Sequence, residues 1–329
     1  MRSSALNHIE LDRARVTEEL NENGEYEGDG ILIRKMEPEE EDDEDENDTY
    51  VCEIQKNNST FIGILNNEFK REGYGLNKLE NGDEYLGYFE NDQRNKHGIY
   101  IWAPERKGKN YLTECYHGYW KENKKEKNGI YLWLEEPKNN NQFDRANFDA
   151  YVGEFEDDSY KKGTYLSKIG DEYYLYHGKF DREGKKSDDN AYFYSSKNDR
   201  LIHGRVSRDN FMNGYISMFD PESGLLKDLA YCTFDKDGNS TSIILKDELQ
   251  KEEKDREVKA ITLFRNIILE VDYFGIIYDK YKEIRKCMSK DIDSIDVFED
   301  GKKFPKIMKL CSDYNTNNIY NDVMKNIKA

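Results

Sequence analysis

Proline and cysteine are both scarce, with five of each in 329 residues. The cysteines (Cys52, Cys115, Cys232, Cys287 and Cys311) are scattered, odd in number and form no CxxC pair. That excludes a disulfide framework or a thiolate zinc site as the organising element and points to a reducing compartment. No run approaches the roughly 20 apolar residues that a helical membrane span needs. The opening MRSSALNHIELDRARVTEEL lacks an apolar stretch and carries acids early, so neither a secretory signal nor a transit peptide is expected there. Walker, GxSxG and HExxH patterns are missing, and Asp235-Lys-Asp237-Gly238 fails as a calcium loop because Ile244 stands where the bidentate Glu belongs. No catalytic residue, metal or cofactor is therefore assigned, and a non-enzymatic, soluble intracellular protein is expected.

A broad basic surface is lacking too. Between Val51 and Leu226 there are 26 basic and 30 acidic side chains, whereas nucleic-acid binding requires a basic excess on one face. The run Glu37–Asp48 (EPEEEDDEDEND) holds ten carboxylates and no base, more than half of the net charge of −18. It reads as a solvated, disordered segment.

The chain is rich in rings: 25 Tyr, 15 Phe and 3 Trp. They recur as aromatic-x-Gly-x-aromatic around Gly63, Gly87, Gly118, Gly153 and Gly178, with a worn copy at Ile202-His-Gly204-Arg-Val206. A second marker follows 10 to 12 residues later, at Gly73, Gly98, Gly129, Gly163, Asn190 and Gly214. Period-2 alternation means strands with one ring-bearing face. Two strands separated by about six polar residues make an antiparallel hairpin, and the glycine between two same-face rings lets neighbouring rings lie across the gap. One hairpin cannot bury its face alone, so the hairpins are expected to stack. Gly204, flanked by Ile202 and Val206, is expected to tolerate a side chain better than the central glycines.

This pattern resembles the MORN repeat, whose unit reads roughly YxGxFxxGxxxGxGxxxxxxG, over about Phe61 to Met218, with a degenerate start at Tyr26-Glu-Gly28. The resemblance implies a mainly β fold, a single-layer antiparallel sheet of stacked hairpins. The expected organisation is an N-terminal segment (1–50), a six-hairpin array (51–226), and a closing hairpin with a helical region (227–329). The helical reading rests on Ile261, Phe264, Ile268 and Val271 and on Ile277, Tyr281, Ile284 and Met288 at helical spacing, either capping the sheet or binding a partner.

The rings Tyr85, Phe89, Tyr100, Trp102, Tyr116, Trp120, Tyr131, Trp133, Tyr151 and Phe155 are expected to line a groove for helical or extended segments of other proteins. Lysines in the hairpin turns (Lys96, Lys124, Lys125, Lys127, Lys161, Lys162, Lys185 and Lys186) read either as a basic edge or as ordinary solvated turns. Insertions at Ala103–Glu114 and Glu135–Asp149 read as binding loops or as tolerated drift. His117, His177 and His203 share one slot on the other face and are expected to be solvated rather than metal-bound. MORN proteins of ciliated cells often belong to axonemal complexes such as radial spokes. The resemblance thus implies a cytoplasmic scaffold in a cytoskeletal, ciliary assembly. Peripheral contact of the basic edge with anionic lipid is the alternative.

Overall fold

A computed structural model describes residues 11–35, 48–107, 110–136, 147–197, 200–219, 226–234 and 240–244. The fold is mainly β and antiparallel, with one short helix, α1 (Arg13–Glu19), among the described residues. The helical reading beyond 245, and all of the acidic run except Asp48, lie outside them.

The chain divides into two compact units, with the boundary just after Glu126. The first holds β1 (Glu25–Gly28), β2 (Ile31–Lys35), β3 (Tyr50–Lys56), β4 (Ser59–Leu65), β5 (Arg71–Lys78), β6 (Glu84–Glu90), β7 (Gln93–Ile101) and most of β9 (Asn110–Lys121); a short β8 (Glu105–Lys107) lies between the last two. The second holds most of β10 (Lys124–Glu136), then β11 (Asn147–Glu156), β12 (Ser159–Ile169), β13 (Glu172–Lys179), β14 (Asp188–Ser195), β15 (Arg200–Ser207), β16 (Asn210–Phe219), β17 (Leu226–Phe234) and β18 (Ser240–Ile244). Pairing therefore begins upstream of residue 51 and continues past 226. Part of each insertion is simply longer strand, since β9 and β10 run to 12 and 13 residues.

The register explains the glycines. Gly63, Gly75, Gly87, Gly98 and Gly118 stand directly opposite one another across successive strands of the first unit. Gly129, Gly153, Gly163 and Gly178 do the same in the second, and Ala191, Gly204, Gly214 and Cys232 extend the pattern. Two second markers shift accordingly: Gly75 rather than Gly73, and Ala191 rather than Asn190, occupy this row. Gly73 instead sits at a bulge with φ +69°.

Onto this row the repeats that carry a first ring lay it down. A Cβ on Gly87 would meet the Tyr85 hydroxyl at 2.5 Å, and one on Gly98 the same hydroxyl at 2.4 Å. Tyr151 covers Gly153 and Gly163 in the same way, and Phe61 covers Gly63 and Gly75. The ring thus stands two residues before the glycine of its own strand and also covers the paired glycine of the next strand. The folded-down tyrosine then donates its hydroxyl three residues ahead: Tyr85 to the Tyr88 carbonyl (3.0 Å), Tyr116 to Tyr119 (3.0 Å), Tyr151 to Glu154 (2.9 Å) and Tyr176 to Lys179 (2.6 Å). The second ring of each motif meets the first edge-to-face, as Tyr85–Phe89, Tyr116–Trp120, Tyr151–Phe155 and Tyr176–Phe180, at 5.1–5.2 Å and 81–90°. Such pairs contribute about 0.5–1.5 kcal/mol beyond area burial.

The turns are tighter than the polar spacing suggests. Asn91-Asp92, Glu122-Asn123, Asp157-Asp158 and Arg208-Asp209 are two-residue loops with φ near +50° and +70°, which is type I′ geometry. The remaining polar residues belong to strands and bulges. The second turn residue also clasps the preceding hairpin. Asp92 Oδ1 accepts the Arg71 backbone N–H, Asn123 Oδ1 that of Arg94 and Asp209 Oδ1 that of Lys186, each at 2.9 Å. In return the backbone N–H of each turn residue donates to the carbonyl of the residue it clasps. A short amide or carboxylate side chain that tolerates positive φ is what this position demands.

Candidate partner-binding face

Nine of the ten rings assigned to a groove are buried: Tyr85, Phe89, Tyr100, Trp102, Tyr116, Trp120, Tyr131, Tyr151 and Phe155 are each at most 2% exposed. Trp133 is half-buried, 4.5 Å from the Tyr131 ring and 5.9 Å from Tyr165. The expectation of an open groove at these positions is corrected: a ring laid over a glycine row and touched edge-on by the next ring is core.

The basic edge is corrected in two places. Lys96, Lys124, Lys127, Lys161, Lys162 and Lys185 are exposed, and Lys161 pairs with Glu156 at 2.9 Å. Lys125, however, is 1% exposed, its Nζ 5.5–5.8 Å from the centres of the Trp102, Tyr116 and Trp120 rings. Lys186 Nζ likewise lies 5.5 Å from the Tyr165 centroid and 5.6 Å from that of Tyr176.

These two mark a repeated slot that hydropathy reading misses. Just past the turn, Arg71, Arg94, Lys125 and Lys186 point inward among rings, and Tyr160 and Phe211 take the same place in other hairpins. Arg94 lies 4.7 Å from the Trp120 centroid and 5.0 Å from that of Tyr100, and its Nη2 donates to the Asn123 carbonyl at 3.2 Å. Arg71 lies 4.8 Å from the Phe89 centroid and pairs with Asp92 at 3.1 Å. Arg13 of α1 pairs with the same Asp92. Burial pushes Asp92 up, but the Arg71 backbone N–H and guanidinium outweigh it and hold the carboxyl below its ordinary value.

The histidines are not solvated. His117 and His203 are buried, His203 stacks on Tyr192 at 4.1 Å, and His177 Nδ1 lies 2.9 Å from the Thr164 hydroxyl. Burial, aided by His97, lowers His117 to about 4. The sign follows directly: between about pH 6.5 and 4 the unfolded chain takes up a proton that the fold refuses, so stability falls as pH falls through this window. The penalty approaches about 3 kcal/mol at its lower end. Replacing His117 by Asn should flatten the pH dependence of the melting temperature relative to wild type between pH 6.5 and 4, and identical slopes would contradict the assignment.

The ring face changes character in the second unit. Four residues past each second-strand row position stand Leu79, Trp102, Trp133, Ser167, Ser195 and Met218. Leu79 and Trp102 are buried there, but at Ser167 and Ser195 the chain supplies no ring. A cavity of about 320 Å³ results, floored by Tyr165, Tyr176 and Phe193 and flanked by Lys186 and Arg200. Tyr174, 37% exposed, stands at its rim.

Among the described residues no group of three or more His, Cys, Asp or Glu could hold a metal ion, and no helix is long and apolar enough to cross a membrane. Burial raises the Cys52 thiol and pushes Cys115 up to about 12, away from thiolate reactivity. No protein-family model and no curated protein matches the chain.

Proposed function

We propose that the chain is a non-enzymatic, MORN-type protein-binding scaffold of a cytoskeletal assembly, and within that class a component of a ciliary axoneme complex of the radial-spoke kind. The observation that carries the reading is a ring face sealed as core in the first unit and opened at Ser167 and Ser195 in the second, which offers a ring-lined recess. Rigid elements that present an aromatic recess with a few charged groups are suited to holding a partner segment. Some of the chemistry that could serve catalysis is committed to holding the sheet: burial raises the Cys52 and Cys115 thiols, the Tyr85, Tyr116, Tyr151 and Tyr176 hydroxyls are spent on backbone carbonyls, and His117 is held neutral.

The lipid-tether alternative loses ground here. Lys125 and Lys186 turn inward and Lys161 is paired with Glu156, which leaves a shorter basic edge interspersed with acids. Each remaining base near an anionic surface contributes only about 1 kcal/mol. Extraction of cells with mild detergent tests the proposal. The tagged chain should stay with the insoluble cytoskeleton, and quantitative release would overturn it.

A further inference from the structure

The cavity of the second unit is short of two groups that other repeats supply for themselves. In the row that crosses it, the chain places Trp102 and Trp133 on earlier second strands and Asp83, Glu114 and Asp149 on earlier first strands. The acids there serve tyrosines: the Tyr100 hydroxyl donates to Asp83 at 2.7 Å, and Asp149 bonds Tyr165. Further along the row the second-strand positions become Ser167 and Ser195, and the first-strand positions become Tyr174, at the cavity rim, and then Arg200. The second strands lack their ring twice, and the acid gives way to a tyrosine and then to a base. Arg200 Nε is buried with no hydrogen-bond partner among the described residues, and Lys186 Nζ lies over the Tyr165 and Tyr176 rings. A buried donor without an acceptor costs about 1–3 kcal/mol, which a carboxylate supplied from outside would recover.

We infer that this cavity receives an acidic, aromatic segment of a partner protein: an aromatic side chain enters the space over Tyr165, Tyr176 and Phe193, and a neighbouring carboxylate meets Arg200 and Lys186. The inference rests on the scaffold reading and names the chemistry of what the scaffold holds. Charge complementarity selects this occupant, because a basic segment would face two cations and a purely apolar one would leave Arg200 Nε unsatisfied. The 320 Å³ recess suits one large side chain with its flanking backbone, the usual form of an anchor residue.

The test uses the purified full chain and a fluorescein-labelled Gly/Ser peptide carrying a central Asp-Trp-Glu, read by anisotropy. Saturable binding is expected, with affinity falling as salt rises. Replacing Trp by Ala, or both acids by Lys, should weaken it by about tenfold or more. Ser195→Trp restores the ring that earlier repeats carry and should abolish binding while leaving the melting temperature unchanged or raised. Arg200→Gln, which keeps a polar side chain, should lower affinity by about tenfold and flatten the salt dependence. Equal binding of the lysine peptide, full binding by a folded Ser195→Trp chain, or no binding at millimolar peptide would each overturn the assignment. Binding that appears only after deletion of residues 37–47 would make the chain's own acidic run the occupant and overturn it as well. Peptide binding does not depend on cytoskeletal retention, so this inference and the scaffold reading can fail separately.

Discussion

Gly153→Val and Gly204→Val should each lower the free energy of unfolding by about 3 kcal/mol or more, or prevent folding outright. A Cβ on Gly153 would lie 2.5 Å from the Lys162 carbonyl oxygen, 2.6 Å from the Gly163 Cα and 2.6 Å from the Tyr151 hydroxyl. One on Gly204 would lie 2.1 Å from the Asn213 carbonyl oxygen and 2.5 Å from the Gly214 Cα. Most of these neighbours are backbone, which cannot swing aside as a flexible side chain can. The expectation that Gly204 is the more tolerant site, drawn from its flanking Ile202 and Val206, is thereby reversed. Absence of a ring over Gly204 does not create room, because the paired strand itself fills the space. Chemical denaturation of both variants beside wild type measures this, and a loss at Gly204 below about 1 kcal/mol would contradict it.

Lys125→Glu is expected to be comparably severe, and Lys125→Met milder. The ammonium lies against the negative faces of Trp102, Tyr116 and Trp120, where a cation is attracted and a carboxylate repelled. Burying an unpaired carboxylate costs several kcal/mol, so loss of about 3 kcal/mol or of the fold is expected. Methionine keeps the unbranched stem and much of the ring contact. Lys124→Glu and Lys127→Glu, on exposed positions flanking it, should each change stability by less than about 0.5 kcal/mol. Reversing all three lysines together would therefore read as a lost basic edge when the actual fault is one buried cation. Equal behaviour of the three single variants in thermal melts would remove Lys125 from the core.

The hairpin array was legible because its period is written in rings and glycines. Tyr85-x-Gly87-x-Phe89 and its copies specify strands, a buried face and a small-residue row without reference to any contact. Two things needed the register. Residues such as Arg94, Lys125 and Lys186 look like solvated turn lysines and arginines in a linear reading, since only the paired strands show these stems turned inward over rings. The opening at Ser167 and Ser195 is silent for the same reason. Serine in a strand carries no signal until Gly98, Gly129, Gly163 and Ala191 are aligned and the place of Trp102 and Trp133 is found empty. The histidine slot is not legible in the sequence, because nothing in the linear pattern shows that Tyr192 covers His203 and Thr164 bonds His177 on the face opposite the main rings.

Whether the second unit's ring face holds a partner in the cytoskeleton is the central claim, and site-specific photo-crosslinking before detergent extraction tests it most directly. A benzophenone amino acid placed at Tyr174, on the cavity rim, should give discrete protein adducts that stay in the insoluble fraction and are competed by the Asp-Trp-Glu peptide. The same group at Lys96, on the turn edge of the first unit, should give none that the peptide displaces. Adducts of equal pattern from both positions, or a Tyr174 probe that labels only lipid or only the soluble pool, would contradict the account.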